Sequence, residues 1–341
     1  MEQYSLVARW LQGHIPKKIL PWQIDIDTTN ICNQDCYYCY TSDFREQQPV
    51  YQTSEQYIKL IDQLYHWSEH DPNTIGTISN VIFSGGGEPT LLPRYEEVIE
   101  HTIDCGYVAA MNTNGTKLDK LLTISPHKLK RMAYIGLDID SAIEYTYEEI
   151  RRSKMTQSPF SKVKEIAKEL GKMGAPIDIK ALLMPQNTTD DEIRALVLYA
   201  KEVNAREIHA RPVVLNEECF TVTPSIIKTF EHYASIYNVK VDIRLARIGA
   251  RDYKQCHQFF LFPSFSADGK IYVCCEYKGR KDICLGSWVD DDWRDLWCGE
   301  KHKEIYKHFK TVFCRPCRPN HTNNQIEYAL KDYNKVLRGF I

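Results

Sequence analysis

Long hydrophobic runs are missing from this 341-residue chain, and so is any marked excess of charge of one sign. No uninterrupted apolar stretch reaches the roughly 18 residues of a membrane-spanning helix, so no membrane partner is expected. The first 18 residues scatter Glu2, Arg9, Lys17 and Lys18 among short apolar pieces, unlike the apolar core of a signal peptide. The formal net charge of −2 gives no basic face and argues against bulk nucleic-acid binding. We therefore expect a cytoplasmic protein.

Cysteine, by contrast, is abundant, with twelve residues in the chain. In a protein that is not exported, this number points to metal or redox chemistry rather than to disulfides. Three cysteines lie between positions 32 and 39 and seven between 256 and 317, which leaves Cys105 and Cys219 alone. The distribution predicts two metal-binding regions. The overall length and an apolar content of 43% suit one large α/β domain with a smaller appendage.

The first cysteine region is the stretch TTNICNQDCYYCY, which spaces Cys32, Cys36 and Cys39 as Cys-x3-Cys-x2-Cys. Three thiolates in this arrangement can bind three irons of a cubic iron–sulfur cluster and leave the fourth iron without a protein ligand. An open metal position is typical of catalytic sites. A zinc knuckle is the alternative, because Cys-x2-Cys is equally common there. The preceding run Trp22–Asp27 alternates apolar and polar residues, so the cysteines are expected on a loop after a strand.

A glycine cluster lies one strand–helix unit further along, in the sequence GGGEPT from Gly85 to Thr90. It directly follows Asn80–Ser84, a short apolar run that predicts a buried strand. Glycines let a backbone approach a ligand closely, and the Glu88 carboxylate can bind an ammonium group. Most isolated glycine runs are only tight turns. The Gly85–Thr90 cluster, however, lies one strand–helix unit after the cysteine loop, and this position favours a binding role.

Six strand–helix alternations between residue 22 and about residue 214 favour parallel βαβ units. The predicted strands are Trp22–Asp27, Asn80–Ser84, Tyr107–Asn112, Tyr134–Asp140, Ile177–Met184 and Arg206–Val214. Their alternation is expected to turn isoleucines and leucines toward the helices and polar residues inward. The inward set would comprise Asp25, Asp27, Asp138, Asp140, Asp178 and Lys180. A polar interior indicates a cavity that binds something polar, whereas a facing shifted by one residue would put these charges in solvent.

The second cysteine region pairs Cys256-x12-Gly-x4-Cys274 with a later Cys314-x2-Cys317. Between them, the turn sequence Ala267–Lys270 predicts a hairpin. Cys275 competes with Cys274 as a ligand because a small backbone rotation would exchange the two. A four-cysteine zinc ribbon is the alternative to an iron–sulfur site. The remaining cysteines of this region, Cys284 and Cys298, are expected to be small buried residues.

The Cys-x3-Cys-x2-Cys motif and the glycine cluster together resemble those of the radical S-adenosylmethionine (SAM) enzymes. The resemblance implies a partial (β/α)6 barrel of parallel strands, and a [4Fe-4S] cluster whose open iron is chelated by SAM. It assigns Gly86, Gly87 and Glu88 to the methionyl amine of SAM.

Further residues are assigned to SAM by the same resemblance. Asn114, at the end of the third predicted strand, joins the SAM-binding set. Asp138 and Ser141 match a ribose-binding position loosely, and Arg151 matches an arginine that grips the SAM carboxylate, with Arg152 as an adjacent competitor.

The C-terminal cysteines resemble the auxiliary-cluster extensions called SPASM and twitch domains. No cysteine follows Cys317, which favours the shorter twitch type with one [4Fe-4S] cluster on Cys256, Cys274, Cys314 and Cys317. The expected domains are a lead-in helix over residues 1–21, the barrel over 22–215 and a bridging segment over 216–255. The small C-terminal auxiliary-cluster domain then covers 256–318, and a closing helix and tail cover 319–341.

Two classes of function follow, a radical SAM enzyme or a non-catalytic zinc or iron–sulfur module. The Gly85–Thr90 element favours the enzyme, because a scaffold needs no chelate-binding loop. For its substrate we favour a small polar molecule of the sugar or aminocyclitol type, oxidised or epimerised, over a ribosomal peptide. About 21 residues before the first strand are too few for a leader-binding domain. Flavodoxin or ferredoxin is the expected electron donor, and Cys219, beyond the sixth strand, is a candidate hydrogen-atom donor in an epimerisation.

Overall fold

A ten-stranded sheet runs through the residues that the computed structural model describes, which are 2–47, 50–215, 218–245, 251–314, 317 and 320–338. The strands are β1 (Lys18–Ile19), β2 (Gln23–Asp27), β3 (Thr74–Ile75), β4 (Asn80–Ser84), β5 (Val108–Thr113), β6 (Tyr134–Asp138), β7 (Ile177–Leu183), β8 (Glu207–Pro212), β9 (Val214–Leu215), β10 (Glu218–Cys219), β11 (Lys240–Ile243), β12 (Ser264–Phe265), β13 (Lys270–Tyr272) and β14 (Cys284–Ser287). The helices are α1 (Glu2–Leu11), α2 (Ser42–Gln47), α3 (Ser54–His70), α4 (Tyr95–Asp104), α5 (Pro126–Leu129), α6 (Glu144–Arg151), α7 (Phe160–Lys172), α8 (Asp190–Glu202), α9 (Pro224–Tyr237), α10 (Trp293–Leu296), α11 (Glu300–His308) and α12 (Asn320–Arg338).

The strand order in this sheet is β11-β8-β7-β6-β5-β4-β2-β12-β13-β14. Every pairing from β11 across to β12 is parallel, and the last two strands run antiparallel. Helices connect the successive parallel strands from β2 to β8, as in βαβ units. This confirms the predicted α/β fold and its six strand–helix units.

The apolar face of each parallel strand packs under the helices. Ile24 and Ile26 of β2 and Ile177 and Ile179 of β7 are fully buried and belong to the hydrophobic core, as the predicted alternation requires. Helix α3 begins with a capping box, in which Thr53 and Gln56 exchange hydrogen bonds. None of the helices formed by the described residues combines the length and apolarity that crossing a bilayer requires.

The sheet extends across the domain boundaries expected at residues 215 and 256. Strand β11, from the expected bridging segment, pairs with β8, and β12, from the expected C-terminal domain, pairs with β2. The predicted hairpin at Ala267–Lys270 is confirmed, since Phe265 faces Ile271 across β12 and β13. The short C-terminal strands therefore prolong the barrel sheet. Of the closing helix expected up to Ile341, residues 339–341 lie outside the described residues.

Aromatic side chains fasten the C-terminal region to the barrel. The ring of Trp293 lies 5.1 Å from that of Trp67 on α3 and 5.3 Å from that of Phe265. The indole N–H of Trp297 donates to the backbone oxygen of Ile19 at 2.8 Å. Edge-to-face aromatic pairs of this kind add roughly 0.5–1.5 kcal/mol each beyond area burial. The contacts of Trp293 with Trp67 and of Trp297 with Ile19 join the C-terminal region to α3 and β1.

Candidate active site

A cavity of about 520 Å³ follows the inside of the barrel, within the usual size range of ligand pockets. At one end it is lined by the loops that follow β2 and β4. Toward the other end it is lined by residues at the start of β7 and β8, including Asp178 and Glu207. The lining residues Asp25, Asp138 and Lys180 confirm the expected polar interior.

The loop after β2 places its three cysteines, Cys32, Cys36 and Cys39, on the cavity wall. All three are half-buried. The backbone N–H of Cys39 donates to the oxygen of Cys36 at 3.0 Å, so the second and third cysteines share one tight turn. The loop is also held from outside, where the N–H of Asp35 donates to the oxygen of Arg151 at 3.1 Å.

Each of these three sulfurs has a nitrogen donor from another part of the chain. The pairs are Asn114 Nδ2 to Cys32 Sγ at 4.0 Å, Arg151 to Cys36 Sγ at 3.9 Å and Arg45 to Cys39 Sγ at 3.5 Å. Hydrogen bonds to cluster-bound sulfurs stabilise their negative charge and tune the reduction potential. The donor set therefore suits thiolates that carry a metal cluster.

The spacing of the sulfurs separates a cluster from a single zinc ion. Thiolates that share one zinc stand about 3.8 Å apart, since each Zn–S bond is about 2.3 Å long. Within the described part of the chain, no three cysteine sulfurs lie within 4.8 Å of one another. A four-iron cube holds its thiolates farther apart because each binds a different iron. Burial raises the pKa of Cys32 to about 11. A positively charged metal centre bound to its sulfur would favour the thiolate form.

The glycine loop packs directly against the cysteine loop. A Cβ at Gly87 would lie 2.1 Å from the backbone oxygen of Ile31, and one at Gly86 would lie 2.2 Å from Oδ1 of Asn30. The N–H of Gly87 also donates to the oxygen of Thr29 at 2.8 Å. Glycine is required at position 87, where a Cβ would collide with backbone, whereas at position 86 the Asn30 side chain would have to move. Both residues also line the cavity, as a SAM-binding role demands.

Glu88 presents a buried carboxylate at the cavity wall, held by hydrogen bonds. Its Oε1 accepts from the hydroxyls of Thr90 and Thr113, both at 2.5 Å, and its Oε2 accepts from the N–H of Asn114 at 2.7 Å. Burial raises the pKa of Glu88, and the hydrogen bonds partly oppose that shift. No lysine or arginine among the described residues forms an ion pair with it. An ammonium group from a ligand would supply the missing positive charge.

Arg151 lies in the cavity wall beside the second cysteine, but its partner is Asp140 rather than Asp138. The guanidinium contacts Oδ2 of Asp140 at 2.8 Å, and the same oxygen accepts from the hydroxyl of Tyr38 at 2.5 Å. The Nε of Arg151 is buried without a hydrogen-bond partner. Arg152 turns away to the ring of Tyr37. A carboxylate ligand would therefore share Arg151 with Asp140.

Asp138 also lines the cavity, and burial raises its pKa to about 6. Ser141 does not join it. Its fully buried hydroxyl donates to Glu192 at 2.6 Å and accepts from the N–H of Ile143, at the start of α6. The loose match of Ser141 to a ribose-binding position is therefore set aside, because the hydroxyl is committed to structure. Cys219, in β10, is not among the described residues that line the cavity, and its donor role stays a prediction.

The far end of the cavity carries an ionic network, of which the sequence predicted only Asp178 and Lys180 to face inward. Its lining members are Asp178, Lys180, Arg206, Glu207, His209, Arg211 and Arg244. Asp178 contacts Arg206 at 2.8 Å and Lys180 at 3.1 Å. Burial tends to raise the pKa of Asp178, but the hydrogen bond from His209, the charge of Lys180 and the hydrogen bond from Arg206 outweigh it and hold that pKa below its usual value. The signal was present, because Glu207, His209 and Arg211 alternate along β8 as the aspartates do along β2. This end suits a substrate with charged or strongly polar groups.

The second cysteine group lies outside the cavity. Burial, with the negative charges of Cys314 and Cys317 nearby, raises the pKa of Cys256. Burial and the charges of Cys275 and Cys256 do the same for Cys274. The amide of Asn323 donates to Cys256 Sγ at 3.5 Å. These interactions relate Cys256 to the other three predicted ligands, of which Cys274 is buried and Cys314 and Cys317 are half-buried.

Cys275 faces the other way from its neighbour, because it lines the cavity and Cys274 does not figure among the described lining residues. Three residues on, Lys278 also reaches the cavity wall and forms a fully buried ion pair with Asp27 at 2.5 Å. Burial raises the pKa of Asp27 to about 6 in spite of that lysine. The segment after Cys274 thus links the second cysteine group to the first strand of the barrel.

Comparison with known proteins shows which protein family the chain belongs to. The family model "Radical SAM superfamily" matches residues 26–200, which is just over half of the chain. The chain therefore belongs to the radical SAM superfamily, whose enzymes use a [4Fe-4S] cluster and SAM. Residues 32–39 and 85–88, which line one end of the cavity, lie inside the matched region.

Two curated relatives illustrate how diverse the similar proteins are. Over 179 residues the chain is 28% identical to 7,8-dihydro-6-hydroxymethylpterin dimethyltransferase of Methanocaldococcus jannaschii. Over 162 residues it is 28% identical to Fe-coproporphyrin III synthase of Methanosarcina barkeri. These matches cover 52% and 45% of this chain, but the chain spans only 33% and 36% of the relatives' lengths.

Solved structures match over much more of the chain. SuiB of Streptococcus suis, bound to the precursor peptide SuiA, superposes with a TM-score of 0.66 at 14% identity, covering 89% of this chain and 70% of SuiB. The protein anSMEcpe with bound AdoMet gives 0.56 at 19% identity, covering 84% and 83%. At these identities the likeness concerns the fold. Its extent includes the C-terminal region, which is consistent with a SPASM-type extension.

Proposed function

We propose that this enzyme cleaves SAM reductively and uses the resulting radical to abstract hydrogen from a polar substrate held in the same cavity. The observation that carries the proposal is the continuity of that cavity. One wall bears the three cysteine sulfurs and the Gly85–Glu88 loop, and the opposite end bears the ionic network of β7 and β8. When bound, the cluster and SAM together supply a 5′-deoxyadenosyl radical.

In this proposal each wall residue has a defined task. Cys32, Cys36 and Cys39 hold the cluster, and the Glu88 carboxylate accepts the methionyl ammonium group. Arg151 binds the SAM carboxylate, and its tie to Asp140 keeps the guanidinium in place. Asn114 fixes Glu88 through its N–H and contacts the cysteine loop through its amide, which donates to Asn33 at 2.9 Å.

For the substrate we infer a small molecule that carries charged or hydroxyl groups. Lys180, His209 and Arg211 offer donors, and Asp138 and Glu207 offer acceptors, along the part of the cavity away from the cysteines. Cys256, Cys274, Cys314 and Cys317 would hold an auxiliary [4Fe-4S] cluster able to take an electron from the substrate radical. The net result would be a two-electron oxidation, with epimerisation as the alternative outcome.

A modified peptide is the second candidate substrate. It is favoured by the structural likeness to SuiB, which was solved with its precursor peptide. The test uses anaerobically reconstituted enzyme, dithionite, SAM and substrates deuterated at carbon. Transfer of deuterium into 5′-deoxyadenosine, measured by mass spectrometry, would identify the substrate class. SAM cleavage without transfer from any charged or polyhydroxylated small molecule, but with transfer from a peptide, would overturn the small-molecule proposal.

The fate of the substrate radical is tested in deuterated buffer. A product two electrons more oxidised, without solvent deuterium, supports dehydrogenation. A product of unchanged oxidation state that carries one solvent deuterium supports epimerisation, and the loss of that label in a Cys219→Ala variant would identify the donor.

A further inference from the structure

Helices α3 and α4 share a cluster of three side chains that the proposed chemistry does not use. Asp62 lies on α3, His101 lies in the last turn of α4, and Cys105 directly follows that helix. Nε2 of His101 stands 2.7 Å from Oδ1 of Asp62 and 3.6 Å from Sγ of Cys105. The three ligand atoms all lie within 4.8 Å of one another. The side chains are partly exposed, so an ion could reach them from solvent.

The single nitrogen Nε2 of His101 lies within hydrogen-bond reach of two partners, the Asp62 carboxylate and the Cys105 thiol. If Nε2 carries a proton, it can donate to the carboxylate, but it cannot accept from the thiol. If it carries none, it can accept from the thiol but faces the carboxylate with a lone pair. A cation placed between the three atoms would satisfy all of them at once. Carboxylate, imidazole and thiolate together form a ligand set that suits zinc.

The charge around this cluster favours a cation as well. A second cluster with the same potential, Asp178, Glu207 and His209, has its carboxylates already paired with lysine and arginine. Asp62, in contrast, forms no ion pair with a lysine or arginine in the described part of the chain. Its one charged contact is His101. A bound ion would therefore meet no competing cation here.

The distances fit a tetrahedral ion closely. With Zn–S near 2.3 Å and Zn–N near 2.05 Å, the nitrogen and sulfur ligands stand about 3.5 Å apart. The observed separation is 3.6 Å. The Asp62 oxygen would need to withdraw by less than about 1 Å, since zinc-bound nitrogen and oxygen stand about 3.4 Å apart. Its side chain is 49% exposed and free to make that movement.

We propose that Asp62, His101 and Cys105 bind a divalent zinc-type ion, with water as the fourth ligand. The ion would join the helix that precedes β4 to the helix that follows it. Strand β4 leads into the Gly85–Glu88 loop, so the site would brace the elements that position this loop. The site is distinct from both cysteine groups assigned to iron–sulfur clusters.

The test uses full-length protein with its iron–sulfur clusters assembled anaerobically, so that the cluster cysteines are already occupied. Zinc is added, the excess is removed by gel filtration, and bound metal is measured by mass spectrometry. We expect one zinc per chain, together with a rise of a few degrees in Tm, because the ion binds only the folded state. Cobalt in place of zinc should give a thiolate-to-cobalt absorption band.

Variants assign the ligands. Cys105→Ser should abolish the cobalt band and His101→Gln should remove the bound zinc, with the iron content unchanged in both. Cys284→Ser, at a half-buried cysteine outside the cluster, should keep both signals. His66→Ala is a second control, because His66 and His70 form a nearby pair on α3 whose rings lie 5.7 Å apart. Zinc retained in His101→Gln, or lost in His66→Ala, would overturn the proposal.

Discussion

The two cysteine groups differ in how the chain presents them to the cavity. The first comes from eight consecutive positions, 32–39, and all three of its sulfurs line the cavity wall. The second is drawn from positions spread between 256 and 317, and its members Cys256 and Cys274 are buried. Cys32, Cys36 and Cys39 thus form an open group on one loop beside the cavity. Cys256, Cys274, Cys314 and Cys317 form a closed group, which the tertiary fold assembles outside the cavity.

This difference matches the general distinction between catalytic and structural metal sites. A catalytic site keeps a position free for substrate, whereas a structural or electron-transfer site is closed by protein ligands. The first group offers three thiolates beside a cavity, and the second offers four away from it. The two meet at the segment 274–278, where Cys274 points to the second group while Cys275 and Lys278 reach the cavity.

Loss of one ligand from the open group should have the largest effect. Cys36→Ala leaves two thiolates for the cluster, and we expect SAM cleavage to fall below detection, with iron lost from this group. The measurement is 5′-deoxyadenosine formed with dithionite as reductant. Cys284→Ala, at a half-buried cysteine assigned to no metal site, is the matched control and should cleave SAM at the wild-type rate. Normal cleavage by Cys36→Ala would show that this loop does not hold the catalytic cluster.

Loss of a ligand from the closed group should impair substrate oxidation but leave SAM cleavage in place. Cys256→Ala should lower the iron content from about eight to about four atoms per chain, since one of two four-iron clusters is lost. SAM cleavage should persist, because Cys256 lies apart from the cavity, while substrate oxidation should fall strongly. Unchanged iron content would contradict the second cluster, and complete loss of SAM cleavage would contradict the separation of the two groups.

The fold was predictable because the alternation of strand and helix patterns recurs six times along the chain. Strand β4 begins and ends at the predicted residues, and the alternation in β2 and β7 correctly separated the core isoleucines from the cavity-lining Asp25 and Asp178. Asp27, which was also predicted to face inward, is not among the described lining residues and pairs with Lys278. The extension of the sheet by β12 was not predictable. A two-residue strand has almost no sequence pattern, and its pairing with β2 joins positions more than 200 residues apart.

The site was predicted where a motif covers it and missed where only three-dimensional contacts define it. Cys32, Glu88 and Arg151 all reach the cavity as expected. The pairing of Arg151 with Asp140 could not be read from spacing, since it joins α6 to the loop after β6 through side-chain reach. The sequence also could not show which of the adjacent residues Cys274 and Cys275 faces the cavity.

The ion pair between the two regions gives a smaller but measurable effect. Lys278→Met leaves Asp27 buried without its cation and should destabilise the protein by about 3 kcal/mol. The double variant Asp27→Asn/Lys278→Met should recover most of that loss. Equal stability of the single variant and wild type would mean that the pair does not couple the regions.

The pH dependence of this variant has a definite sign. Asp27 has a folded pKa of about 6, above its ordinary value of 3.8, so its protonation stabilises the folded state and this contribution is lost as pH rises through 6. Removing Lys278 takes away the main influence that lowers this pKa, while the Asp25 and Asp268 charges, which raise it, remain. The Tm difference between Lys278→Met and wild type should therefore shrink as the pH falls from 8 toward 5.

The finest distinction concerns the neighbouring cysteines at the junction of the two regions. Cys274→Ser should lose the second cluster, because its sulfur lies with Cys256, whereas Cys275→Ser should keep both clusters, because its sulfur faces the cavity. Iron analysis and electron paramagnetic resonance of the reduced proteins distinguish the two variants. Serine is close to cysteine in volume, so a packing defect should affect both equally. Loss of iron in Cys275→Ser with full iron in Cys274→Ser would exchange the two roles and place the closed group against the cavity.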